Sequence, residues 1–322
     1  MTWLVEQGIG EQRAILRDGD QIVATRTWWP GELIPGMIED AVLVSRTAGS
    51  PRGTARFASG ETALVDRLPV SAREGAAIRL EVTRPAMGDG VRRKLARARV
   101  VDAPLRPMAG LAEQFTAEGL DVQIAHDFGL ADAAELAAEA LAGEVPFPGG
   151  ALLFSPTPAM LLVDIDGTLD PRALSMAAVQ PLAAALRRFD AGGNIGIDFP
   201  TLQTKDDRRA VDEALAAALA DWPHERTAMN GFGFVQLVAR LNRPSLLHRA
   251  AFQRAAFAAR ALLRRAERLQ GAGALELGFH PSLATELTPW LSELQRRTGR
   301  EVRVRPDAAL APEAPQAQLV AR

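Results

Sequence analysis

Two short apolar runs near the middle of the chain each end on an aspartate. Met160-Leu161-Leu162-Val163-Asp164 continues into Ile165-Asp166-Gly167-Thr168, and Gly193-Asn194-Ile195-Gly196-Ile197-Asp198 continues into Phe199-Pro200. Short apolar runs bounded by glycine and proline have the pattern of buried strands. Between them Leu174, Ala178, Leu182, Ala185, Leu186 and Phe189 recur at helical spacing, and Ala191-Gly192-Gly193 closes the pattern, which predicts a helix over 172–189. Strands joined by one helical crossover run parallel, and neighbouring strands lie about 4.8 Å apart with their C-terminal ends on one edge. If these two are neighbours, Asp164 and Asp198 meet there.

The rest of the pattern frames this unit. Residues 1–35 read as a meander of short strands turned by Arg17-Asp18-Gly19-Asp20, an Asp-Gly hairpin signal. Over 36–102, strand-like runs at 37–45, 53–57, 61–65 and 76–83 alternate with glycine turns, the spacing of a small S1/OB-type barrel. Residues 103–150 read as a proline-containing linker, a strand at 121–125 that rejoins the meander, and an alanine-rich helix at 131–141. The central segment, 151–248, holds the aspartate unit, with an antiparallel partner strand at 151–155, a helix at 205–220 and a strand at 231–238. In 249–322 the pattern predicts a long helix at 249–270 whose arginines form a solvated face, then one helix and a closing strand at 301–305 in a small C-terminal domain. The Ala/Pro-rich tail from Ala308 is expected to fray. The fold class expected is α/β with α+β elements: a meander with an inserted barrel, a central mixed α/β domain built on a βαβ unit, and a small C-terminal α/β domain.

Composition narrows the chemistry. With no cysteine, disulfides, thiol nucleophiles and cysteine-ligated zinc are excluded, and the four histidines are scattered without metal-site spacing. The N-terminal residues lack a signal-peptide pattern and no apolar run reaches the ~18 residues of a membrane span, so a cytoplasmic protein without membrane contact is expected. A net charge of −2 argues against indiscriminate nucleic-acid binding. Locally, however, Arg79, Arg84, Arg92, Arg93, Lys94, Arg97, Arg99 and Arg106 face only Glu81, Asp89 and Asp102, a basic stretch on the barrel. Its alternatives are a phosphate-binding surface and a solvated barrel edge.

Two carboxylates meeting at a sheet edge repel unless one is protonated or a cation lies between them, and the usual cation is Mg²⁺. The alternative is that one aspartate caps a helix while the other is solvated. Asp164-Ile165-Asp166-Gly167-Thr168-Leu169 also matches, locally, the nucleophile motif of haloacid dehalogenase-like phosphatases. That motif normally opens its domain, whereas here it stands halfway along the chain.

The order of these pieces resembles the ribonuclease E/G family. The resemblance is carried by Gly149-Gly150-Ala151-Leu152-Leu153-Phe154, by Gly192-Gly193-Asn194-Ile195-Gly196-Ile197-Asp198-Phe199, by Phe232-Gly233 with Pro244-Ser245-Leu246, and by Pro281-Ser282-Leu283-Ala284 with the run 298–307. It implies a Mg²⁺-dependent endoribonuclease acting on single-stranded RNA, with Asp164 and Asp198 holding the metal and Asp166 standing where well-known members carry asparagine. It further implies RNA contacts by Phe57 and Lys94 on the barrel, joined by Arg92, Arg93 and Arg240. Several family features are reduced here. A second barrel aromatic is missing, the stretch before residue 121 is too short for the 5′-end-sensing segment, and without cysteines no zinc-linked dimer forms, although a homo-oligomer stays open. A non-catalytic RNA-binding paralogue and a phosphatase are the rival expectations.

Overall fold

The computed structural model describes residues 1–88, 93–128 and 130–321. Strands β1 (Trp3–Gly8), β2 (Glu11–Asp18) and β3 (Gln21–Trp28) form the expected meander. Strands β4 (Ile38–Arg46), β5 (Gly53–Arg56), β6 (Thr62–Asp66), β7 (Ala77–Arg84) and β8 (Ala96–Val100) close a barrel in the order β4-β5-β6-β8-β7. Alternation fills it: Ala41, Leu43, Ala55, Ala63, Val65, Leu80, Val82, Ala96 and Ala98 point inward. Helix α1 (Leu111–Ala117) then buries Leu111 and Phe115 beneath the meander, and β9 (Val122–Ile124) joins it alongside β1, giving a four-stranded sheet β3-β2-β1-β9.

The central sheet follows α2 (Leu130–Ala142). Its strands are β10 (Glu144–Phe147), β11 (Gly150–Pro156), β12 (Leu161–Gly167), β13 (Gly193–Asp198), β14 (His224–Arg226) and β15 (Phe234–Ala239), in the order β10-β11-β12-β13-β15-β14. Only β12 and β13 pair in parallel. Their crossover is α3 (Pro171–Arg188), capped by the Asp170 carboxylate accepting from Ala173 N–H. Helix α4 (Lys205–Ala218) starts from a Thr204 cap. Leu174, Ala178 and Leu182 of α3, with Val211 and Leu215 of α4, belong to the core that seals one face of the sheet. The other face stays open: the alternate residues Leu162, Asp164, Asn194, Asp198 and Val238 are exposed. That one-sided burial is why β12 alternates so cleanly.

The C-terminal part departs from expectation in three ways. The long helix is two, α5 (Leu246–Phe252) and α6 (Arg254–Glu267), broken at Gln253. Its arginines are not a solvated face: Arg249 is fully buried and Arg260 nearly so. The tail does not fray. Beyond β16 (Ala274–Phe279), α7 (Ala284–Leu287), α8 (Leu291–Thr298) and β17 (Val302–Pro306), residues Gln316–Val320 form β18 and pair antiparallel with β16. No helix of the described residues is long and apolar enough to cross a membrane.

Candidate active site

Hydrogen-bond register places Asp164 of β12 directly opposite Asp198 of β13, where the one parallel pairing of the central sheet ends. Parallel neighbours lie about 4.8 Å apart, and both side chains leave the sheet on its open face. Both are exposed, and neither has an ion-pair or hydrogen-bond partner among the described residues. Asp166 shares that face two residues further on, where its Oδ1 accepts from the Gly167 amide at 2.8 Å. Three carboxylates therefore point from one edge.

Positive potential reaches that edge from the backbone. Helices α3 and α4 both start in the loops that leave β12 and β13, so their N-terminal partial charges lie on the carboxylate side of the sheet. Arg172 in the first turn of α3 pairs with Asp207 in the first turn of α4 at 2.7 Å, tying the two helix starts together. Lys205, the first residue of α4, is exposed and makes no ion pair among the described residues.

The donor set favours a hard cation. Two unpartnered in-register carboxylates offer oxygen ligands only, and no group of three or more His, Asp or Glu able to hold a metal exists among the described residues. Zinc sites need three or four nitrogen or sulfur donors and calcium six or more oxygens, whereas Mg²⁺ binds one or two carboxylates and keeps water. Asp164 and Asp198 supply two carboxylates, a number from which Mg²⁺ can complete its shell with water.

The RNA contacts expected on the barrel fare unevenly. Phe57 is 3% exposed and packs inside the barrel core, so its ring offers no face to a base. Its position explains this: it directly follows β5 and starts the turn in which Gly60 N–H donates to its carbonyl, with its side chain continuing the inward phase of the strand. Lys94 is exposed, bridged through its backbone to Met87, and its side chain has no partner among the described residues. Arg93 is spent on an ion pair with Glu61, and Arg92 lies outside the described residues. Part of the basic stretch is neutralised: Arg79 pairs with Asp40, while Arg99 and Arg106 share Glu81. Arg84, which donates to the Leu95 carbonyl, Lys94 and Arg97 make no ion pair among the described residues. Arg240 follows the far end of β15, whose other end, Phe234, is the partner of Asp198. Six residues at ~3.4 Å each place it about 20 Å away, so it does not join the carboxylates.

Two aromatics beside the carboxylates were not among the expected site residues. The Phe234 ring lies across Gly196, where an added Cβ would come within 2.6 Å of it, and Phe232 in the preceding turn is 81% exposed. The sequence signal was present in Phe232-Gly233-Phe234, an aromatic pair around a glycine, but its register against Asp198 was not.

No family model matches the chain. Part of the sequence is nevertheless close to known proteins. This chain is similar to ribonuclease G. It is 34% identical over 112 residues to ribonuclease G of Escherichia coli K12 and of Shigella flexneri, and equally so to that of Salmonella typhimurium. The match covers 31% of this chain and 23% of the relative, so the chain spans less than a quarter of the length of the curated relatives it matches.

Proposed function

We propose that the protein is a reduced member of the ribonuclease E/G family: an endoribonuclease that hydrolyses phosphodiester bonds in single-stranded RNA with Mg²⁺ held by Asp164 and Asp198. The observation that carries this reading is the in-register pair of unpartnered carboxylates at the C-terminal edge of β12 and β13. The partial similarity to ribonuclease G supports the reaction class. When bound, Mg²⁺ supplies charge neutralisation at the phosphate and a polarised water. The chain's own residues do the rest. Asp164 and Asp198 fix the position of the metal, and Asp166 stands where it can orient a water or strain against the phosphate. Lys205 and the starts of α3 and α4 attract the phosphate backbone. The phosphatase reading is disfavoured by the place of the motif: that motif normally opens the first strand of its domain, whereas here β12 is a middle strand of the central sheet, paired antiparallel with β11 that precedes it.

The test is cleavage of an end-labelled single-stranded RNA with and without Mg²⁺. Asp198→Asn is expected to lower the rate on the order of 100-fold or more, because the metal's contribution is several kcal/mol. RNA affinity should stay within about threefold of wild type, since backbone contacts set it. An Asp198→Asn protein that cuts at the wild-type rate removes the assignment. Wild-type binding with no fragments at any Mg²⁺ concentration favours the non-catalytic paralogue, and phosphate release from a small phosphoester favours the phosphatase.

A further inference from the structure

A rigid turn beside the carboxylates holds a large aromatic ring out in solvent. Phe232 is 81% exposed. The turn around it is fully specified: Asn230 Oδ1 accepts from the amides of Phe232 at 2.8 Å and Phe234 at 3.0 Å, and Gly233 N–H donates to the Asn230 carbonyl at 3.2 Å. Gly233 adopts φ +91°, and a Cβ there would lie 2.4 Å from the Phe199 carbonyl oxygen, so only glycine fits. Phe199 N–H in turn donates to the Gly233 carbonyl at 3.2 Å, which fastens the turn to the residue after Asp198. Here the backbone is fixed and the ring is not covered.

Its surroundings say what would cover it. On the same open face lie Leu162, 37% exposed, and the Phe234 ring stretched over Gly196, directly beside Asp164 and Asp198. The result is an apolar, partly aromatic platform to one side of a dicarboxylate edge, from which the chain runs on to Lys205 at the start of α4. Phe232 stands two residues before Phe234, the partner of Asp198, in the turn that the Phe199 amide fastens to the end of β13.

We infer that Phe232 is a stacking subsite for a nucleobase of a single-stranded polynucleotide, adjacent to the base whose phosphate lies at the two aspartates. The inference rests on the proposed RNA-cleaving role of that edge and adds the contact that sets where the strand lies. Stacking suits the site because it needs a flat exposed π-face and no hydrogen-bond readout, and Phe232 offers no polar atom for one. With Phe57 enclosed in the barrel, Phe232 takes the role of aromatic contact in this chain.

The experiment is binding of a short oligoribonucleotide carrying 2-aminopurine at successive positions, in EDTA so that no metal-dependent cleavage intervenes. Phe232→Ala is expected to weaken binding about 5- to 100-fold, the range for loss of one stacked base, with the salt slope unchanged because no phosphate contact is lost. In the wild type, 2-aminopurine emission should be quenched at one or two positions, and Phe232→Ala should relieve it. Phe232→Trp should restore both signals and Phe232→Leu neither. Equal binding by wild type and Phe232→Ala overturns this inference and leaves the nuclease reading standing. If wild type fails to bind RNA, both fall. If Phe232→Ala abolishes self-association while RNA binding is unchanged, the ring belongs to an interface between copies, and the inference is overturned. Loss of cleavage in Asp198→Asn with stacking intact separates the catalytic claim from this one.

Discussion

Burial moves the titration of His248 away from neutral pH, lowering its pKa from the ordinary 6.5 to about 4. The ring is 4% exposed, and its Nδ1 lies 2.8 Å from Ser245 Oγ, which already accepts from the His248 amide and so has its proton to give. The fold therefore holds the neutral form. Between pH 6.5 and 4 the unfolded chain takes up a proton that the native chain refuses, so the stability present above pH 6.5 is lost as pH falls toward 4. The full effect is about 3 kcal/mol. His248→Gln keeps an amide near Ser245 and removes the titration, so urea unfolding of this variant should lose about 3 kcal/mol less over that interval than wild type. Superimposable curves would mean that His248 does not titrate as described. Phe57 teaches the complementary lesson at this scale. Its residue type suits both stacking and packing, and only the phase of β5, set by register with β4 and β6, decides that it points inward.

At the scale of elements, the βαβ unit was legible because its information is local: two apolar runs, one helical repeat and two glycine stops fix strand, crossover and hand. The break between α5 and α6 was not. The apolar spacing runs through Gln253 uninterrupted, and the cause lies elsewhere in the chain. Arg249 and Arg260 both stand over the Trp29 ring, at 4.2 and 4.0 Å from its centre. In an unbroken helix eleven residues separate them by about 16 Å along the axis, too far to share one indole. The kink at Gln253, φ −124° and ψ 38°, folds α6 back so that both reach it. Arg249 also pairs with Glu32 at 2.6 Å and donates to the Thr27 carbonyl at 3.2 Å. This junction binds the meander, the entry to the barrel and the central domain. Arg249→Met should cost about 3–5 kcal/mol, because it leaves Glu32 without its partner in a largely desolvated site. Glu32→Gln on top of it should cost far less than Glu32→Gln alone. A thermal-unfolding double-mutant cycle that closes additively would remove the pair from the account.

The whole molecule is stitched between its two ends, and that could not be read from any window of sequence. The turn between β1 and β2 inserts into the C-terminal core: Ile9 is buried among Leu262, Leu263, Leu277 and Leu283, and the Gly10 carbonyl accepts from Arg260 Nε at 2.9 Å. Beside it, the buried Glu11 carboxylate contacts Arg264 of α6, and Glu6 of β1 contacts Arg268. Burial alone would raise the Glu11 pKa, but Arg264, Arg13 and Arg260 outweigh it and hold the carboxyl below its ordinary range. A carboxyl with a depressed pKa contributes stability above its unfolded value of about 4.3 that is lost as pH falls through the lower folded value. Glu11→Gln should therefore cost about 3–5 kcal/mol at pH 7, since it strands the surrounding guanidinium groups, and the deficit should shrink below pH 4. It should also uncouple the ends. In the wild type, slowly exchanging amides of β1, β2, α6 and β16 should open with one common free energy, because neither core is complete without the other. In Glu11→Gln, native-state hydrogen exchange should show α6, β16 and β18 opening at lower free energy than the central β12 and β13. If all of them shift equally, the C-terminal unit is not held through this contact, and the shared Ile9 core alone carries the coupling.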